Sequence, residues 1–157
     1  MTLFEVFDSL ELTPLGAAIR DSTWLFPVIE SGHLLGLAVL GGAVLVVDLR
    51  LLGVGLRTRS PAYVLEQARP WLLGAVVVML ASGIPLFLSE AVKCYFSPAF
   101  WVKMGALALA LLFTFGVRNR RIRARPSLPP WQARGIAACS MALWLTVATA
   151  GRWIGFS

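Results

Sequence analysis

The chain has 157 residues, 58% hydrophobic and 14% charged, with a net charge of +6. A soluble domain carries about 25% charged residues, and the apolar residues here gather in runs of roughly twenty, the length that crosses about 30 Å of hydrocarbon. A water-soluble fold is excluded, and because the basic residues sit in two loops and the acids near the N-terminus, the charge describes membrane topology and not a nucleic-acid footprint.

Residues 1–22 read as an amphipathic segment. Thr2 and Glu5 form a capping box, Leu3, Phe4, Phe7 and Leu10 share one face, and Glu5, Asp8 and Glu11 take the other. Such a helix lies in the interface plane. Thr13-Pro14 starts a second short helix, with Pro at its first position. No cleavable signal peptide is expected.

Four spans follow, at about 24–52, 71–89, 99–117 and 131–154, all within one membrane domain of residues 1–157. Trp24, Trp71, Trp101, Trp131 and Trp153 fall near span ends, as interfacial aromatics do. Pro70 is expected to open the second span and Pro85 to kink or unwind its far end. The loop after the first span holds Arg50, Arg57, Arg59 and Arg69; the loop after the third holds Arg118, Arg120, Arg121, Arg123, Arg125 and Arg134. The positive-inside rule makes both loops cytoplasmic, with the N- and C-termini and the Glu90–Pro98 loop periplasmic. The expected architecture is an all-α integral membrane protein, an antiparallel four-helix bundle with an N-terminal interfacial helix. The arginine-rich stretch reads as a topology and anionic-lipid anchor. Cys94 and Cys139 lie near opposite faces, too far apart for a mutual disulfide; Cys139 is expected in the core.

The chemistry concentrates on the first span. His33 is the single histidine, about 9 Å inside the outer edge if the helix rises from Pro27. Glu30, His33, Gly36, Gly41 and Asp48 form a stripe at helical spacing, and charges within a span are expected to face the bundle interior. Depth matching adds Glu90, Lys103, Met104 and Arg152 to the outer half, and pairs Asp48 with Arg50 at the inner end. A neutral imidazole in an apolar bundle suits an axial ligand of haem iron. On that reading His33 binds iron, Met104 or the His33 of a second copy is the other ligand, and Lys103 and Arg152 hold the propionates. Gly36 and Gly41 make room for the porphyrin, and Glu30 tunes the imidazole.

A di-iron site would need a second Glu-x-x-His and more carboxylates, and copper more soft ligands. No serine or cysteine neighbours the histidine as a hydrolase would require. Two other readings stay open: an accessory subunit whose polar stripe only joins helices, and a small oligomer that conducts protons or solutes. Membrane lipids, further copies of the chain, and a quinone or periplasmic redox protein are the expected partners.

The blocks ESGHLLGLAVLGGAVLVVDLRLLG, RPWLLG, PLFLSEA, SPAFWVKM and GRWIGFS, in that order over residues 20–157, resemble an uncharacterised family of small bacterial four-span membrane proteins carrying a domain-of-unknown-function label. The resemblance implies a bacterial inner-membrane location and transfers no activity. Its motif positions are Glu30, His33, Gly36, Asp48, Arg50, Glu90 and Lys103. Some members carry another histidine near the end of the third span, where this chain has Arg118. A more distant likeness is to b-type membrane cytochromes, which place histidines on several helices.

Overall fold

The computed structural model describes residues 2–125 and 128–156. All the secondary structure in them is helical. Four helices are long and apolar enough to cross a membrane: Leu25–Leu52, Pro61–Ser89, Pro98–Ala124 and Pro130–Ile154. We label the elements α1 (Leu3–Glu11), α2 (Pro14–Asp21), α3 (Leu25–Leu52), α4 (Pro61–Ser89), α5 (Ala91–Phe96), α6 (Pro98–Leu111, continuing as a π-helix over Leu112–Arg118), α7 (Asn119–Ala124) and α8 (Pro130–Ile154).

The local signals act as expected at both N-terminal helices. The Thr2 hydroxyl accepts from Glu5 N–H at 3.3 Å while Glu5 Oε2 accepts from Thr2 N–H at 2.8 Å. Thr13 caps α2, with Pro14 in its first turn. The second span departs from the sequence reading. Its helix starts at Pro61, behind the Ser60 cap, and runs through both Pro70 and Pro85. Ser60-Pro61 is the true start signal, a side-chain acceptor followed by a residue with no N–H to satisfy. At about 1.5 Å per residue, α4 is longer than the hydrocarbon is thick, so its first turns stand outside the apolar layer. The third span also runs on past residue 117, through the π-helix and α7.

The bundle is ordered α4–α3–α8–α6 around its axis, with α3 packed on α4 and α8, and α6 on α8. Leu40, Val44, Leu72, Ala110, Trp144 and Val147 form the middle of the core, and Val47, Leu65, Ile122 and Ala137 the core nearer the arginine loops. Most of each span is apolar and outward-facing, as lipid requires. Trp24, Trp71, Trp131 and Trp153 are each at least 66% exposed at helix ends or bundle flanks. The two arginine loops lie at one end, where Arg123 Nη2 meets Glu66 Oε1 at 2.8 Å.

The other end is closed by a lid. Phe7 is buried, with ring centroids of Phe87, Tyr95 and Trp101 at 5.5, 5.4 and 5.8 Å. Glu11 Oε2 accepts from Val92 N–H at 2.6 Å, and Arg20 holds the same carboxylate at 3.3 Å. A Cβ on Gly16 would lie 2.5 Å from the Leu88 carbonyl oxygen, so α2 touches α4 backbone to backbone. The amphipathic segment therefore docks on the bundle.

Candidate functional site

Two polar centres interrupt the apolar interior, one beneath the lid and one at the arginine end. Beneath the lid, His33 is half-buried against α4, and its Nδ1 lies 2.8 Å from Ser82 Oγ. Ser82 has a single hydroxyl hydrogen, and its Oγ is also 2.6 Å from the carbonyl oxygen of Val78. A carbonyl only accepts, so that hydrogen goes to Val78 and Ser82 Oγ accepts from His33 Nδ1–H. The network thus assigns the tautomer: the neutral ring carries its lone pair on Nε2, which has no hydrogen-bond partner among the described residues. The Cε1–Nδ1 edge of the ring lies against Gly83, where a Cβ would stand 3.1 Å from His33 Cε1 and 3.7 Å from Nδ1. Ser82 and Gly83 fix the ring's orientation as a supporting shell fixes a ligating histidine.

Lys103 reaches the same region from α6. It is half-buried with Nζ and Cε against Gly151 of α8, where a Cβ would be 3.5 and 3.4 Å away. Its charge lies within electrostatic range of His33 and of Cys94. Lys103 has no hydrogen-bond or ion-pair partner among the described residues, so it remains available to an anionic group. Cys94, in α5, is buried and free; burial first, then the Glu90 carboxylate, pushes its thiol up to about 11. It is an inert thiol at neutral pH.

The other expected members of this site stand apart. Met104 is 44% exposed, on the outward face of α6, so it does not face His33 as a second axial ligand within the chain. Arg152 is exposed, its guanidinium 4.6 Å from the Phe156 ring centroid. Glu30 is exposed and without a hydrogen-bond partner among the described residues. Gly36 is buried, but Val78 Cγ1 and Met79 Sδ occupy its open side, at 3.0 and 3.4 Å from where a Cβ would be. It serves helix packing and makes no room for a porphyrin; Gly41 is exposed. The physical reason is the period of the seam. The inward line His33, Gly36, Leu40, Ala43, Val47 repeats every 3.5 residues, and such a line drifts about 20° per heptad from a straight 3.6-residue stripe. Glu30 and Gly41 fall off it.

At the arginine end Asp48 and Arg118 are both 0% exposed, with Arg118 Nη1 donating to Asp48 Oδ1 at 2.9 Å. The same nitrogen lies 3.3 Å from Ser140 Oγ and 3.4 Å from the Val44 carbonyl oxygen, and Arg118 Nε donates to Asn119 Oδ1 at 3.2 Å. Asp48 Oδ2 and Arg118 Nη2 are buried without a protein partner. This overturns the placement of Arg118 in the basic loop and the pairing of Asp48 with Arg50, whose Nε instead donates to the Arg59 carbonyl. The π-helix ends on Arg118, and one turn earlier Thr114 Oγ1 accepts from Trp144 Nε1 at 3.0 Å. The wider turn re-aims the last residue of the π-helix inward, a common use of π-helical turns. The clue in the sequence was Asp48 itself: a carboxylate inside an apolar run needs a cation at equal depth, and Arg118 lies within the third span at that depth. Cys139, expected in the core, is exposed.

The donor set decides which groups the lid-end site fits. Among the described residues no three His, Cys, Asp or Glu side chains stand together as metal ligands. A multi-carboxylate or multi-thiolate centre therefore has no donors. The residues fit one neutral imidazole ligand, presented through Nε2, with one cation nearby. They do not fit two axial ligands from one chain.

Comparison with curated proteins and with solved structures finds no match. A family model covers residues 20–157, and the chain belongs to the family of unknown function DUF6644.

Proposed function

We propose that this multi-pass membrane protein binds haem b through His33 and serves electron transfer or redox sensing. The observation that carries the reading is the fixed tautomer: Ser82 takes the Nδ1 hydrogen, leaving Nε2 as a free lone pair beneath the lid. Bound there, haem b would supply one-electron redox chemistry at its iron. The chain's own residues do the rest. Ser82 and Gly83 orient the imidazole, and Lys103 offers a cation to a propionate. With Met104 turned outward, His33 would be the residue of this chain that holds the iron. The positive-inside pattern supports an orientation with the arginine loops cytoplasmic and the lid on the opposite side, which in a bacterial inner membrane is the periplasmic one.

The test is the visible spectrum of the protein purified in mild detergent. The reading predicts a Soret band that shifts on reduction with dithionite and is lost in His33→Ala at unchanged yield. A colourless wild-type preparation from haem-replete cells, or a Soret band unchanged in His33→Ala, would contradict it.

A further inference from the structure

We propose that the groove between α3 and α4 at the arginine end is a binding site for one anionic phospholipid. The groove has a volume of about 490 Å³. Toward the middle of the bundle its lining is apolar, with Val39, Gly42 and Val46 of α3 beside Ala68 and Trp71 of α4. Its mouth is polar, formed by Arg59, Tyr63 and Gln67. Because the first turns of α4 stand outside the hydrocarbon, the mouth lies at headgroup level and the floor at acyl-chain level. That layout matches an amphipathic molecule standing along the membrane normal.

Charge selects the headgroup. Arg59 is the one charged residue among those lining the groove. Its guanidinium carbon sits 5.0 Å above the Tyr63 ring centroid, which holds the plane in place while leaving its edges free. Those edge N–H groups have no hydrogen-bond partner among the described residues, and a planar guanidinium suits a phosphate diester. Leu56 also lines the groove, and at φ 51° it is the one non-glycine residue in the left-handed region among the described residues. The helix terminus before it is pinned: Gly53 at φ 77° closes α3, and Arg57 Nε donates to the Gly53 carbonyl. A leucine held there against its backbone preference builds a wall beside the arginine. A neutral quinone would use the apolar floor but leave this cation unanswered.

Native mass spectrometry of delipidated protein tests the assignment, with phosphatidylglycerol and phosphatidylcholine added at equal concentration. One bound phosphatidylglycerol should be favoured over phosphatidylcholine by about fivefold, the worth of one basic residue at the headgroup. Arg59→Gln should remove that preference. Gly42→Leu should lower occupancy of both lipids, because a Cβ at Gly42 meets nothing within 4 Å and the larger side chain fills the groove without disturbing the backbone. Arg121→Gln, exposed on α7 at the same end, should leave the preference intact. Equal binding of the two lipids, an Arg121→Gln effect as large as that of Arg59→Gln, or displacement of the lipid by a neutral isoprenoid quinone would overturn the proposal.

Discussion

The lid end and the arginine end both bury polar side chains, but they close them differently. At the arginine end Asp48 and Arg118 pair their charges in a fully enclosed network that also engages Ser140 and Asn119, with Asp48 Oδ2 and Arg118 Nη2 left enclosed and unpartnered. At the lid end His33 and Lys103 are half-buried, lie on different helices, and each keeps nitrogen capacity that no described residue uses. An enclosed ion pair fixes helix positions and is out of reach; half-buried groups with no opposite charge beside them can still meet a ligand. The π-helix follows the same division, since its irregularity is spent on building the pair.

The comparison breaks most visibly at the closed centre. Removing one partner by Asp48→Leu or Arg118→Leu strands the other charge in the bundle, and should cost about 3–5 kcal/mol. The double substitution should recover most of that loss, since apolar replacement of a buried pair is often neutral or stabilising by about 1–4 kcal/mol. Thermal or denaturant midpoints in detergent measure both; a double variant as unstable as the singles would show that the network is more than a paired charge.

The lid supplies the next effect. In a Cys139→Ser background, Cys94 should react slowly with maleimide at pH 8, because the thiol is buried and its pKa is raised. With the pKa near 11, the thiol stays protonated through neutral pH, and labelling should rise about tenfold per pH unit well beyond the plateau near 8.5 of an ordinary thiol. Phe7→Ala should open the lid and speed labelling by about tenfold or more, as burial of the thiol falls. A rate that levels off near pH 9 in the intact lid would contradict the burial.

The smallest effect sharpens the open centre. Gly83→Ala places a methyl 3.1 Å from His33 Cε1, tighter than ordinary contact. The ring must shift by a few tenths of an ångström, so the absorption maximum should move or the haem occupancy fall, with a stability change under about 1 kcal/mol. An unchanged spectrum would mean the ring's seat on α4 does not govern the site.

Much of this was legible in the sequence, for identifiable reasons. Span count, the capping box at Thr2 and the start at Thr13-Pro14 rest on local chemistry, and they stand in the structure. The polar stripe was read as a straight helix face, and this placed His33 and Asp48 correctly but wrongly buried Glu30 and Gly41, because packing follows a 3.5-residue seam. Arg118 was hidden in a run of arginines that look alike in sequence. Only its depth and the wider π-turn separate it from its neighbours. Pro70 looked like a helix start because proline favours that position, whereas Ser60-Pro61 carried the cap as well.

The most direct measurement is haem content per chain, by pyridine haemochrome, for wild type, His33→Ala and the Asp48→Leu/Arg118→Leu pair purified side by side. The account predicts haem in the wild type and in the double variant, and its loss in His33→Ala alone. Haem retained without His33, or lost with the Asp48–Arg118 pair from a double variant that stays folded, would contradict the assignment of cofactor binding to the lid end.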